Sequence, residues 1–143
     1  MIKVERSAQI NKPAADIFGF TSDFANDAKW QADLISSEKT SAGPIGVGTT
    51  GRYVQKFMGM EMKNDMLVTA FEPPTRFAAK TTSGPVQFEY LMTLEESGGS
   101  TRINVTMTGE PGGFFKVAAG LLKKELEKSL DRDFAKLKEL LEA

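Results

Sequence analysis

The stretch GGFFKVAAGLLKKELEKSLDRDFAKLKELLEA (Gly112–Ala143) decides the fold of this chain. Phe114, Ala118, Leu121, Leu122, Leu126, Leu130, Phe134, Leu137 and Leu141 recur at three- and four-residue steps and share one helical face. Lys123, Lys124, Glu127, Lys128, Asp131, Arg132, Lys136 and Glu139 fill the remainder. A helix of roughly 30 residues is about 45 Å long at 1.5 Å per residue. Its stripe therefore needs an apolar surface of similar length, and the rest of the chain offers only strands. A broad, curved antiparallel sheet wrapped around one long helix is the expected partner, and such a wrap leaves a hollow in which function is expected.

Working back from that helix, Thr101 to Gly109 and Val86 to Glu96 read as a hairpin about Gly98-Gly99, preceded by a strand from Thr75 to Thr82. Pro73-Pro74 separates these from a second hairpin, Arg52 to Met58 and Met60 to Phe71, about Gly59. Leu34 to Thr40 is a weak strand followed by the glycine-rich Ser41 to Gly51. Ile2 to Ile10 alternates, with Ile2, Val4, Ala8 and Ile10 on one face. Between the first and second strands lie two short helices. Asn11-Lys12-Pro13 starts one, with Asn11 as cap, and Ser22-Asp23 caps another that runs to Trp30. Seven strands in one meander result, its two ends brought together.

Alternation assigns the faces, because one side of the sheet must meet the helix. The inward set is Tyr53, Gln55, Phe57, Met60, Met62, Asn64, Met66, Val68, Phe77, Ala79, Val86, Phe88, Tyr90, Met92, Leu94, Ile103, Val105 and Met107. Charged residues such as Arg52, Lys56, Glu61, Lys63, Glu89 and Arg102 fall on the other side.

Composition removes several function classes. A net charge of −1 gives no field that would recruit nucleic acid or an anionic membrane. Cysteine and histidine are both absent, which excludes disulfides, thiolate chemistry and Ser-His or Cys-His nucleophile pairs. No metal and no cofactor is expected. No apolar run reaches the ~18 residues of a membrane span, so no stable membrane insertion is expected. The alternating N-terminus reads as a strand and not as a signal peptide. At 143 residues the expectation is one domain, residues 1–143, in the cytoplasm.

The order strand, two short helices, six strands and a long C-terminal helix resembles the helix-grip fold of the START-like (SRPBCC) superfamily. Local pieces are similar to its polyketide cyclase/dehydrase-like branch: Ile10-Asn11-Lys12-Pro13-Ala14 with Ile17-Phe18, Asp23 to Trp30, Val47-Gly48-Thr49, Phe71-Glu72-Pro73-Pro74, Gly99-Ser100-Thr101-Arg102 and Leu137 to Glu142. The resemblance implies an α+β fold with a cavity between sheet and helix. It also implies a ligand drawn from lipids, quinones, hormones or polyketides, with catalysis in only some members.

Candidate site residues follow. Five methionines of the inward set, Met60, Met62, Met66, Met92 and Met107, suit a wall that adapts to varied apolar ligands, with plain core as the competing reading. Tyr53, Gln55, Asn64 and Tyr90 are polar groups able to orient a ligand. Arg6 sits among apolar residues and is expected to snorkel to the sheet end, the alternative being a clamp for a ligand carboxylate. The ligand-binding set is Trp30, Tyr53, Gln55, Phe57, Met62, Asn64, Phe77, Phe88, Tyr90, Met92, Val105, Met107, Phe114, Phe115 and Leu122. Gly46-Val47-Gly48-Thr49-Thr50-Gly51 matches a dinucleotide pattern in letters only, since a strand and not a helix follows. Gly43 to Gly51, the Phe57 to Met60 tip and Pro111 to Phe115 are candidate flaps over the cavity.

Three functions fit. A module carrying or sensing a small hydrophobic or amphipathic molecule of the lipid, isoprenoid, quinone or polyketide class accounts for most of the inward residues. A polyketide cyclase/dehydratase-like enzyme is the first alternative, and a protein-interaction module the second. The enzyme is disfavoured because every Asp and Glu is expected to face outward, to sit in a turn or to lie on the polar face of a helix, leaving no tuned carboxyl for acid–base work.

Overall fold

A computed structural model of the protein describes residues 2–57, 59–84, 86–111 and 119–143. The element order is β1 (Ile2–Ile10), α1 (Ala14–Thr21), α2 (Phe24–Trp30), β2 (Leu34–Lys39), β3 (Thr50–Phe57), β4 (Met60–Glu72), β5 (Arg76–Ser83), β6 (Val86–Ser97), β7 (Ser100–Pro111) and α3 (Ala119–Glu142). The strands form one seven-stranded antiparallel sheet in the order β1-β7-β6-β5-β4-β3-β2. Consecutive strands pair from β2 to β7 through hairpins, and β1 adds to the far edge beside β7. The sheet is open, with β1 and β2 at its edges. This is the helix-grip arrangement, with α3 lying against β1 and α2.

Tight turns fall where glycine permits them. The β6–β7 turn uses Gly98 at φ 61° and Gly99 at φ 81°, a backbone that a side chain would strain. Helix α1 buries Ala14, Ile17, Phe18 and Thr21, the face its spacing predicts. Its cap differs from the expected one: Pro13 occupies the N-cap position without a side-chain hydrogen bond, and the Ala14 N–H donates instead to Glu96 Oε1 at 2.6 Å. A carboxylate at the end of the sheet thus satisfies an orphan donor at the positive end of α1. Helix α2 is capped as expected, Asp23 Oδ1 accepting from the Ala25 N–H at 3.0 Å.

The solid part of the core lies toward the β6–β7 turn. Leu94 pairs with Ile103 and Met92 with Val105, all at 4 % exposure or less, and Val4, Ile10, Ile17, Phe18, Phe134 and Leu137 pack over them. Phe18, Phe71, Phe77 and Tyr90 form a chain of edge-on ring contacts with centroids 5.3–6.5 Å apart. Arg6 reaches α3, its guanidinium 3.6 Å from Glu127 and 3.3 Å from Asp131. It is therefore an ion-pair partner of the helix and does not line the cavity described below.

Some expectations need correction. Leu121 is 51 % exposed, so the α3 stripe runs through Leu122, Leu126, Leu130, Phe134 and Leu137 without it. Met60 is likewise exposed at the start of β4. No helix among the described residues is long and apolar enough to cross a membrane.

Candidate functional site

Away from the β6–β7 turn, sheet and helix part around a cavity of about 140 Å³. The registered rows explain where it begins. Tyr90 faces Met107 across the β6–β7 pair and Phe88 faces Gly109, whereas the next row, Met92 with Val105, is already closed core. Gly109 has no side chain, and a Cβ there would lie 2.5 Å from both the Gln87 carbonyl oxygen and Phe88 Cδ1. The glycine thus lets the Phe88 ring lie across β7. Gly109→Ala should cost roughly 1–3 kcal/mol by overpacking and displace Phe88; comparing urea unfolding with ligand affinity checks both effects.

Each element contributes to the wall. Strands β3 and β4 supply Tyr53, Gln55, Met62, Asn64 and Met66; β5 supplies Phe77, Ala79 and Thr81; β6 and β7 supply Phe88, Tyr90 and Met107. Helix α3 presents Leu122, Leu126, Ser129, Leu130 and Asp133, successive turns of one face. Thr21, Asp27, Trp30, Gln31 and Asp33 close the side formed by the short helices. Gln55 and Asn64 satisfy one another, the Asn64 Nδ2 donating to Gln55 Oε1 at 2.9 Å. Of the residues expected at a ligand site, Trp30, Tyr53, Gln55, Met62, Asn64, Phe77, Phe88, Tyr90, Met107 and Leu122 come together here. Met92 and Val105 do not: alternation identified their face correctly, but they lie too near the β6–β7 turn. Phe114 and Phe115 lie outside the described residues, as do the side chains of Phe57 and Val86.

The loop before β3 leads into a strand, as expected where the dinucleotide pattern matches in letters only, and none of residues 41–51 lines the cavity. It is tied to β4 by the Gly48 N–H on the Val68 carbonyl at 2.9 Å and the Val68 N–H on the Thr49 carbonyl at 2.8 Å. Met60 does not line the cavity either. Residues 112–115 of the third candidate flap lie outside the described residues.

The largest departure from expectation is acidic. Asp27 is 2 % exposed and Asp133 6 % exposed, and both belong to the cavity wall. The Tyr53 hydroxyl donates to Asp27 Oδ2 at 2.6 Å, and the Ser37 hydroxyl lies 3.4 Å from the same oxygen. Asp27 Oδ1 and Trp30 Nε1 are buried without a hydrogen-bond partner. Burial pushes the Asp27 carboxyl up to about 7, against the opposing pull of the Tyr53 hydrogen bond. A smaller opposing pull comes from the nearby Trp30 indole N–H, whose geometry falls short of a hydrogen bond. Asp133 Oδ1 accepts the Ala32 N–H at 2.9 Å, and burial raises this carboxyl to about 6 against that bond. The Tyr90 hydroxyl is pushed up as well, by burial and then by the charges of Asp27 and Asp133, which places it within reach of both fields. Asp33 differs: its Oδ2 accepts from Ser129 Oγ at 2.8 Å and from the Arg132 guanidinium at 3.2 Å. Among the described residues no group of three His, Cys, Asp or Glu side chains could hold a metal ion.

Both hidden carboxyls had a sequence signal. Phe24, Asp27 and Trp30 recur every third residue, and all three are buried. Leu126, Leu130, Asp133 and Leu137 continue the three- and four-residue steps of the α3 stripe.

The chain matches the family described as polyketide cyclase/dehydrase and lipid transport over residues 1–142. No curated protein sequence matches it. Among solved structures it is similar to a START superfamily protein from Mycobacterium smegmatis, at TM-score 0.85 and 17% identity over 98% of this chain and 97% of that one. It is similar also to the Zhui aromatase/cyclase from Streptomyces sp. R1128, at TM-score 0.83 and 14% identity over 99% and 93% of the two chains. The protein Ara h 8.0201 gives TM-score 0.74 and 18% identity, with 99% of each chain covered. At these identities the structures share a fold, and the family match covers nearly the whole sequence. The chain belongs to the polyketide cyclase/dehydrase and lipid-transport family.

Proposed function

We propose that this protein binds a small, largely apolar molecule in the cavity between sheet and α3. The observation that carries the reading is the cavity itself, apolar on most sides and edged at one side by Asp27, Tyr53, Tyr90 and Asp133. A volume of about 140 Å³ is close to the roughly 150 Å³ of an engineered apolar cavity that takes up benzene. The occupant is therefore of one- or two-ring size, shorter than a full lipid tail. The apolar wall supplies affinity and the polar edge fixes orientation.

An environment-sensitive apolar dye is expected to bind at about one per chain. Phe88→Ala should weaken it by about tenfold, equivalent to ~1.4 kcal/mol of lost contact. Glu89→Ala, on the opposite face of β6, should leave it unchanged. Titration of dye fluorescence checks this; equal effects from both substitutions would remove the cavity from the account.

A second reading, acid–base catalysis of the cyclase or dehydratase type, is favoured by one observation. The Asp27 carboxyl titrates near neutrality, touches a tyrosine hydroxyl and faces an apolar space, a combination suited to moving protons at pH 7. The expectation of exclusively outward or solvated carboxylates, which spoke against an enzyme, no longer holds. Turnover of a poly-β-keto substrate that is lost in both Asp27→Asn and Tyr53→Phe would establish it.

A further inference from the structure

The cavity wall has a one-sided charge inventory. Asp27, Asp33 and Asp133 contribute three carboxyls, and none of the described lining residues is Lys or Arg. Arg132 is nearby, but it is exposed and engaged with Asp33. Asp33 is thereby neutralised, whereas Asp27 and Asp133 have no basic partner among the described ion pairs. Aromatic side chains share the wall with them, Trp30, Tyr53, Phe77, Phe88 and Tyr90. An unmatched acceptor, Asp27 Oδ1, is buried in a residue that is itself 2 % exposed. Native structures rarely leave such an atom without a donor.

We propose that the cavity, taken as a ligand site on the reading above, selects an apolar molecule that carries a protonated amine. The ammonium group sits between Asp27 and Asp133, and the hydrocarbon body lies along the aromatic wall. A cation offers Asp27 Oδ1 the N–H donor it lacks and both carboxylates a counter-charge, and the ring faces attract it through their quadrupoles. Above about pH 7, where both carboxyls are ionised, a carboxylate or phosphate ligand meets like charge in a space of low dielectric, so fatty acids and phosphorylated head groups are disfavoured. A neutral alcohol or ketone meets neither attraction nor repulsion of that size.

Protonation links this selection to pH. The groups around Asp27 are Tyr53 from β3, Ser37 from β2, Asp23 at the cap of α2, and Tyr90 from β6. Asp133 is flanked by Asp33, Arg132 and the Ala32 N–H, with Tyr90 facing it. Tyr53 and Tyr90 are held far above their usual range and stay neutral, while burial raises the carboxyls of Asp27 and Asp133 to about 7 and about 6. Burial holds Asp27 protonated up to about pH 7 in the empty cavity, and a bound ammonium expels that proton.

Three probes of one shape test this, 2-naphthylmethylamine, 2-naphthylmethanol and 2-naphthoate, each measured by displacement of the apolar dye and by calorimetry. At pH 7.5 the amine is expected to bind at least about tenfold more tightly than the alcohol, and naphthoate to bind weakest. Amine affinity should fall by up to about tenfold per pH unit below about pH 7, as the bound ammonium requires Asp27 deprotonated, while alcohol affinity stays flat. Near pH 6.5, calorimetry in two buffers of different ionisation enthalpy should show protons released on amine binding and none on alcohol binding. In Asp27→Asn the ratio of amine to alcohol affinity should drop toward one. An alcohol that displaces the dye as well as the amine does, without proton release, overturns the amine assignment and leaves the cavity as a ligand site. Naphthoate as the tightest probe overturns the charge selection outright. Absence of dye binding, with none of the three probes bound by calorimetry, overturns both the selection and the reading beneath it. Proton release in the unsubstituted protein decides the matter even where Asp27→Asn does not fold.

Discussion

Asp27→Asn is expected to stabilise the protein by roughly 2–4 kcal/mol at pH 8 and by far less at pH 4. The carboxyl titrates at about 7 in the folded chain, against 3.8 as its ordinary value. Between those values the unfolded chain has lost a proton that the native state still holds, so stability falls as pH rises from about 4 to about 7. Above 7 the full cost of burying an ionised carboxylate is present, tempered by the Tyr53 hydrogen bond. Asn keeps an acceptor for Tyr53 and Ser37 and carries no charge to desolvate, so it removes the cost and retains the bonds. Asp133, raised to about 6, adds a slope of the same sign between about 4 and 6. Asp65 and Glu142 act oppositely: both are lowered, by partners such as Ser83 and Arg52 or the Asn11 N–H and Lys138, and their contribution is lost only as pH falls below the usual carboxylate range. Urea unfolding at pH 4, 6 and 8 measures all of this. A variant less stable than the parent at pH 8 would mean that Asp27 is compensated in the folded protein. A buried carboxyl that weakens the fold at pH 8 while lining a cavity is a candidate for a role there.

Much of the architecture was legible because periodicity is a statement about faces. Alternation in β6 separated Phe88, Tyr90, Met92 and Leu94 from Gln87, Glu89 and Glu95, and the structure keeps that division. Alternation carries no information about position along a strand, which is why Met92 and Val105 were grouped with Tyr90 and Met107 although one pair is closed core and the other edges the cavity. The acidic side of the site was missed for a different reason. Most charged residues on amphipathic segments are solvated, and Asp133 lies between Arg132 and Phe134 in a helix crowded with charge. Only its step of three from Leu130 and four to Leu137 betrays it. Asp27 sits similarly between Phe24 and Trp30, and its partner Tyr53 comes from a strand 26 residues away, a pairing that only the fold creates.

The second large effect lies in α3, where one helix serves both core and cavity. Phe134→Ala is expected to destabilise the protein by about 3–5 kcal/mol, and Leu126→Ala by about 1–2 kcal/mol. Phe134 is 4 % exposed in the solid part of the core, where neighbours from several elements cannot follow a shrinking side chain. Leu126, two turns earlier, is only partly buried and borders space that is already empty. Its removal forfeits fewer contacts and enlarges an existing void instead of creating one. The same change should widen the ligand range, with Leu126→Ala binding a three-ring dye more tightly than the parent does. Phe134→Ala, outside the cavity lining, should not show that gain at temperatures where it remains folded. Urea unfolding together with dye titration on the two variants separates these roles. Equal destabilisation by both, with no change in dye preference, would mean that α3 is packed uniformly along its length and that the space beside Leu126 is filled in solution.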